Sequence, residues 1–183
     1  AMHTLNLRFA NINDFAELIL IINSAYRDQH LNSWTNESRI VSGDRIQSKQ
    51  LRTLINQQTD ISNTHFFVAE LDLGDDTKII GCIQIDFIET DAEIGTFCIA
   101  PNWQNNGLGQ QLLKLAEEYA YSVQPKLKNY SMWVLNIRRE LIDFYIRKGY
   151  QITGIESEYP LEANVGKPLI DLKLIQLVKP LSF

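Results

Sequence analysis

Apolar and polar residues alternate from Thr4 to Ala10 (TLNLRFA), the two-residue period of a half-buried strand. The period then lengthens. Asn13–Asp14 supplies a helix start, and Phe15, Leu18, Ile19, Ile22, Ala25 and Tyr26 recur at helical spacing. Residues 28–44 are polar and irregular, with Trp34 inside and Gly43 near the end. A second helix is expected from Arg45 to Gln57, with Ile46, Leu51, Leu54 and Ile55 as its apolar side. His65–Leu73 (HFFVAELDL) and Lys78–Ile88 (KIIGCIQIDFI) read as strands joined by the turn signal Gly74–Asp75–Asp76. Gly81 either weakens the second of them or marks a close approach. Glu93–Ala100 (EIGTFCIA) is a further strand, ended by Pro101. From Leu108, the positions Leu112, Leu115, Ala116, Tyr119, Ala120 and Val123 trace one helix face. The remainder predicts a strand Asn129–Leu135, a helix Arg139–Lys148, a short strand Tyr150–Gly154, a loop Pro160–Pro168 and a last strand Leu169–Val178.

The order β-α-α-β-β-β-α-β-α-β-β, with no repeat or linker, predicts a mixed α/β domain around a predominantly antiparallel sheet. A length of 183 residues suits one domain spanning 1–183, and a 45% apolar content fills its core without staples. Ala1, ahead of Met2, reads as an expression scar. The net charge of −5 leans away from nucleic acid, which selects a basic face, and is compatible with a cationic substrate. No apolar run approaches the ~20 residues of a membrane span and no signal peptide is read, so no membrane is expected. Cys82 and Cys98 sit in apolar runs without close-spaced partners, as reduced, buried thiols of a cytoplasmic protein do. His3, His30 and His65 are scattered without ligand spacing, so no metal is expected.

One stretch exceeds the needs of a turn. Pro101–Gln110 (PNWQNNGLGQ) places two glycines between an apolar strand and an amphipathic helix. A helix N-terminus leaves N–H groups unpaired and carries partial positive charge, and glycines there let several N–H groups converge on one phosphate. The loop suits a pyrophosphate. No Gly-Lys-Ser/Thr follows, so it is not a Walker A loop, and only GxG of the dinucleotide fingerprint is present.

Together, Ile99–Ala100–Pro101, then Gln104, Gly107 and Gly109, then Leu112–Leu113, resemble the core pattern of the GNAT superfamily of acyl-CoA-dependent N-acyltransferases: Val/Ile-x-Pro followed by Gln/Arg-x-x-Gly-x-Gly/Ala. A second block, Tyr145-Ile-Arg-Lys-Gly149-Tyr150, resembles that family's Tyr-x-x-x-Gly-Phe/Tyr signature, and the order of elements agrees over nearly the whole chain. Ile22–Arg27, Ser33–Thr35 and Arg138–Leu141 are similar to an uncharacterised subgroup that names no substrate. The resemblance implies a mostly antiparallel sheet of six to seven strands flanked by about four helices. Its fourth strand, Glu93–Ala100, would splay from its fifth, Asn129–Leu135.

The resemblance further implies an acetyl-CoA-dependent N-acetyltransferase, with acetyl-CoA and an amine acceptor as partners, a homodimer being allowed. Phe97, Cys98 and Ile99 would hydrogen-bond the pantetheine arm like a neighbouring strand. Gln104, Asn105, Asn106, Gly107, Leu108, Gly109 and Gln110 would form the pyrophosphate loop, mainly through backbone N–H groups. A free N–H on the splayed strand, that of Ile99 for example, would polarise the thioester carbonyl. Glu93 is the candidate base, because a primary alkylamine with a pKa near ~10.4 arrives protonated. Glu89 and Asp91 compete with it, and a solvated glutamate is the plain alternative. Tyr145 is the candidate acid for the leaving thiolate, against a role as a core aromatic. Many members carry an asparagine seven residues before this tyrosine. Here that position is Arg138, which would reach a CoA phosphate or an acidic acceptor, or lie on the surface. Tyr26, Arg27 and Trp34 lie where the family builds its acceptor pocket. A CoA-binding regulatory module without catalysis, or a protein lysine or N-terminal acetyltransferase, are the alternative functions.

Overall fold

The computed structural model describes residues 3–27, 41–57, 63–163 and 165–181. Among them, strands β1 (Thr4–Phe9), β3 (Thr64–Asp72), β4 (Thr77–Ile88), β5 (Asp91–Ile99), β6 (Asn129–Leu135), β7 (Gln151–Glu158) and β9 (Lys173–Pro180) form one sheet in the order β1-β3-β4-β5-β6-β9-β7. Every pairing is antiparallel except β5 with β6. The four α-helices are α1 (Phe15–Arg27), α2 (Ser48–Asn56), α3 (Leu108–Val123) and α4 (Arg139–Arg147). Two-residue strands β2 (Val41–Ser42) and β8 (Lys167–Pro168) pair with each other. The expected mixed, mostly antiparallel sheet with four helices is the observed architecture.

Helices cover both faces, which explains why the central strands read as near-continuous apolar runs. On β3, Phe66 and Val68 pack with α1 and α2 through Leu18, Ile22, Leu51 and Ile55. The alternate residues Phe67, Ala69 and Leu71 pack with α3 and α4 through Leu112, Ala116, Ile142 and Tyr145. Cys82 and Cys98 face each other across β4 and β5, Sγ to Sγ 3.7 Å, as free buried thiols. The Cys82 thiol is pushed well above its ordinary range by its hydrogen bond to Cys98 and by burial.

Three boundaries differ from expectation by more than two residues. Helix α2 begins at Ser48, not Arg45, because the Asn23 side chain brackets Ile46 from both sides. It donates to the Ile46 carbonyl and accepts from the Ile46 N–H, each at 3.1 Å, which holds that residue as a strand neighbour would. Strand β7 runs on to Glu158, past Gly154, which sits at φ 88° where the register with β9 shifts. The loop Pro160–Pro168 contains a 3-10 turn (Leu161–Ala163) and β8, and the last strand starts at Lys173.

The N-terminal corner is tied electrostatically. Asp14 caps the Asn11 N–H at 2.8 Å, and the Arg8 guanidinium grips both its oxygens at 2.9 and 3.0 Å while also reaching Glu70 at 2.6 Å. Burial pulls the Asp14 carboxyl upward, but these donors outweigh it and hold the group below the usual carboxylate range.

Candidate active site

Strands β5 and β6 begin side by side and then part. Their parallel ladder holds only from Asp91–Asn129 to Glu93–Ser131, although β5 continues to Ile99 and β6 to Leu135. The divergence starts beside a bulge. Gln84 pairs with Gly95 and Cys82 with Cys98, so Ile83 alone opposes both Thr96 and Phe97. Thr96 takes the strained φ of 42° that this extra residue demands. The bulged strand is held hard against β4 at Gly81, where an added Cβ would stand 2.4 Å from the Cys98 carbonyl oxygen. Close approach is therefore the role of that glycine.

The parted strands leave backbone groups facing open space. Ala100 N–H donates to the Ile80 carbonyl at 2.7 Å, so strand alternation turns the Ile99 N–H to the other edge, towards the gap. The Phe97 carbonyl accepts from the Tyr26 hydroxyl at 2.6 Å, tying α1 to the bulge. The Ile99 carbonyl accepts from the buried Gln104 amide at 2.9 Å, tying the following loop to the end of β5. Gln104 thus points inward. Asn106 also serves the loop, its amide reaching the Trp103 and Gln104 carbonyls at 3.3 and 3.2 Å.

Asn105 (φ 67°) and Gly107 (φ 73°) both turn left-handed and bring the chain into α3. Gly107 is the N-cap and offers no side chain, so the first-turn N–H groups of Leu108, Gly109 and Gln110 lack an internal cap. A Cβ on Gly107 would meet nothing within 4 Å. One on Gly109 would make only ordinary contact, 3.8 Å from Ile99 Cγ1 and 3.9 Å from Phe97 Cζ. Asn105, Asn106, Gly107 and Gln110 are exposed, while Leu108 is buried as the anchor of the helix.

A cavity of about 320 Å³ occupies the gap and is lined from both faces of the sheet. Glu93, Asp86, Gln84, Thr96, Tyr26 and Arg45 line its α1/α2 side, and Phe97, Met132, Leu141 and Tyr145 its α3/α4 side. Glu93 stands directly opposite Asp86 on β4. Burial first, and the Asp86 charge second, raise the Glu93 carboxyl above the ordinary glutamate value, opposed by a hydrogen bond from the Trp133 indole. Asp86 is itself fixed, accepting from Thr64 Oγ1 at 2.7 Å and Gln84 Nε2 at 3.0 Å, while Thr96 Oγ1 donates to Gln84 Oε1 at 2.9 Å. Neither Glu89 nor Asp91 lines the cavity, and Asp91 instead accepts from the Asn129 amide at 2.9 Å.

Tyr145 is 6% exposed, and its hydroxyl has no hydrogen-bond partner among the described residues. Burial drives its pKa far above the ordinary phenol range, and the nearby Arg138 charge offsets this only in part. The phenol stays protonated at any physiological pH. Half-buried Arg138 is the N-cap of α4, while Asn136 turns to β9, where it accepts from Lys173 N–H at 3.3 Å. Cys98 directs its thiol to Cys82, so only its backbone can face the gap. The backbone of Arg27 ends α1; its side chain and Trp34 lie outside the described residues.

Asp86, Gln84, Thr96 and Arg45 were not singled out from the sequence. The signal for two of them is present in KIIGCIQIDFI, where Gln84 and Asp86 share one parity of an otherwise apolar strand. On a strand buried on both faces, two polar residues of one parity mark a wet pocket.

The sequence profile described as "Acetyltransferase (GNAT) domain" matches residues 62–152, from the start of β3 into β7. No curated protein sequence matches the chain. Among solved structures, the chain is similar to a GNAT-family acetyltransferase of Streptococcus pneumoniae, with TM-score 0.67 and 22% identity over 98% of this chain and 100% of that one. It is similar also to spermidine N-acetyltransferase from Vibrio cholerae, solved in complex with CoA and spermine, with TM-score 0.69 and 18% identity over 96% and 95%. A GNAT-family acetyltransferase from Elizabethkingia anophelis with acetyl-CoA bound gives TM-score 0.64 and 18% identity over 98% of each chain. At these identities the structural likeness speaks for the fold. The profile match falls on the segment that carries the bulged strand, the glycine loop and Tyr145, and over residues 62–152 the chain carries a GNAT acetyltransferase domain.

Proposed function

We propose that this protein transfers an acetyl group from acetyl-CoA to the primary amine of a small molecule or peptide, by direct attack within a ternary complex. The observation that carries the reading is the cavity in the β5/β6 gap, which receives Glu93 from one face of the sheet and Tyr145 from the other. The residues present fit the cosubstrate. The uncapped first turn of α3, reached through Asn105, Asn106 and Gly107, aims the Leu108, Gly109 and Gln110 N–H groups at open space, where a pyrophosphate would be held. The edge of β5 at Phe97–Ile99 offers backbone groups to an extended arm, and the acyl thioester supplies the group transferred. Similar structures solved with CoA and with acetyl-CoA support the choice of cosubstrate.

Each residue then has a distinct task. Glu93, raised above the ordinary glutamate value and desolvated, takes a proton from the acceptor ammonium, directly or through water. The Ile99 N–H polarises the carbonyl under attack. Tyr145, kept neutral by burial, donates its proton to the departing thiolate. Tyr26 is a positioning residue, since its hydroxyl holds the Phe97 carbonyl while its ring lines the acceptor side.

The test is radiolabelled acetyl transfer across an amine panel, paired with calorimetry of CoA binding. Glu93→Gln and Tyr145→Phe are each expected to lower kcat/KM by roughly 10²- to 10⁴-fold with CoA affinity unchanged. Unaltered turnover in both would remove their assigned roles. No heat with CoA or acetyl-CoA would remove the reading as a whole.

A further inference from the structure

Charge is distributed unevenly along the acceptor side. Near the gap stand two carboxylates, Glu93 and Asp86, paired across β5 and β4. Arg45 lines the same cavity from the bend before α2. Its guanidinium lies 5.4 Å from the Tyr26 ring centroid, and it makes no hydrogen bond or ion pair among the described residues. Arg45 belongs to two cavities at once. With Gln84, Thr96 and Val165 it separates the central cavity from a second one of about 510 Å³ along α2. That outer cavity holds Lys49 as a second cation beside the amides of Gln47, Gln50 and Gln57, and among its described lining residues there is no carboxylate.

An acceptor that fills the central cavity and reaches into the outer one therefore meets carboxylates in the first and, among the described residues, only cations in the second. A polyamine needs the opposite beyond its first nitrogen, because each further ammonium would approach Arg45 and Lys49. An amine carrying its own anion matches both ends. Resting on the acetyl-transfer reading above, we infer that the acceptor is an amino-acid-like zwitterion. Its amine lies at Glu93 and Asp86, and its carboxylate or other anionic group is held by Arg45, with Lys49 flanking. Arginine suits this task because its planar fork binds a carboxylate through two parallel hydrogen bonds while its face rests on an aromatic ring. In the transfer, the acceptor nitrogen forms the new bond to the acyl carbon as the carbon–sulfur bond breaks. The ammonium loses two protons, the first to Glu93 before attack and the second as the amide forms. The second offsets the proton that Tyr145 gives to the thiolate, the first leaves through Glu93 to solvent, and the distant anion is left unchanged.

The experiment compares paired acceptors that differ only in the anion: L-phenylalanine with phenethylamine, and 4-aminobutyrate with butylamine. Spermidine is included as the tail-cationic competitor. Acetyl transfer is measured by label, and binding of each acceptor to the CoA-loaded protein by calorimetry. The anionic member of at least one pair should be preferred by roughly 10- to 100-fold in kcat/KM and in Kd, the range of charge-assisted hydrogen bonds. Arg45→Met should erase that preference, mainly through a raised KM for the anionic member. Arg45→Lys should restore part of it, which separates recognition from misfolding. Equal or better use of the anion-free amines or of spermidine, or an Arg45→Met change that weakens both members alike, overturns the inference and leaves acetyl transfer standing. Absence of turnover with every acceptor, despite CoA binding, overturns both.

Discussion

Gly107→Ala separates two explanations of the glycine loop, because only one of them reaches the cosubstrate. Gly107 is the N-cap of α3 at φ 73°, and nothing lies within 4 Å of an added Cβ. If the glycine merely completes a turn, alanine costs roughly 1–2 kcal/mol of stability through the left-handed φ, lowers Tm by roughly 2–8 °C for a chain this long, and leaves CoA affinity unchanged. If the open space before it receives a pyrophosphate, the methyl also enters that space. Losing one charge-assisted hydrogen bond, about 1.5–3 kcal/mol, raises the Kd for CoA roughly 10- to 150-fold. The expected variant is therefore less heat-stable and weaker for CoA, read by thermal denaturation and by calorimetry at a temperature where it is folded. Gly109→Ala is the contrast. Its φ is not left-handed, its Cβ would make only ordinary contacts, 3.8 Å from Ile99 Cγ1 and 3.9 Å from Phe97 Cζ, and the family pattern admits alanine there. It should keep CoA affinity and gain about 0.4–1 kcal/mol of stability. A folded Gly107→Ala protein that binds CoA as tightly as its parent would refute the phosphate role of the loop.

Asp86 and the N-terminal corner offer two more tests. Asp86 adds to the upward shift of the Glu93 carboxyl, so Asp86→Asn should move the acid limb of kcat/KM to lower pH. An unmoved limb would mean that Glu93 is not the group titrating. The new amide must also settle against Gln84 Nε2, so a flip of Gln84 is expected in its crystal structure. Asp14→Ala removes both the cap on Asn11 and the grip of Arg8, and should cost about 2–3 kcal/mol at neutral pH by urea denaturation. The Asp14 carboxyl is held below its unfolded value. Its contribution is full above the unfolded carboxylate range and disappears as pH falls through the folded pKa. The gap between parent and variant should therefore close on acidification, and a gap that stays constant contradicts the ion pair as its source.

Elements whose signal is local were readable from the chain. Strand Asn129–Leu135 and the start of α3 at Leu108 stand where periodicity puts them, because alternation and the Pro101–Gly109 punctuation are properties of neighbouring residues. What depended on a distant partner was not readable. Ile46 is apolar at helical spacing, yet Asn23 from α1 takes both its backbone groups and keeps it out of the helix. Residues after Gly154 look like the end of a strand, but β9 lends them a ladder across the register shift. The site divides in the same way. The loop and Glu93 are legible as sequence, whereas Arg45 enters the pocket only because α1 brings Tyr26 beneath it. The charge order from Asp86 to Lys49 exists only once β4, β5 and α2 are assembled.

The hydrogen-only clearance at Gly81 also bears on how a cosubstrate would arrive. Because β4 and β5 touch backbone to backbone there, β5 cannot swing back across the gap without opening a buried seam. The slot is thus a standing feature of the folded chain, preorganised before any encounter. Its entropy cost belongs to folding, so capture should proceed as a docking step into a finished mould, with an association rate that rises in simple proportion to CoA concentration.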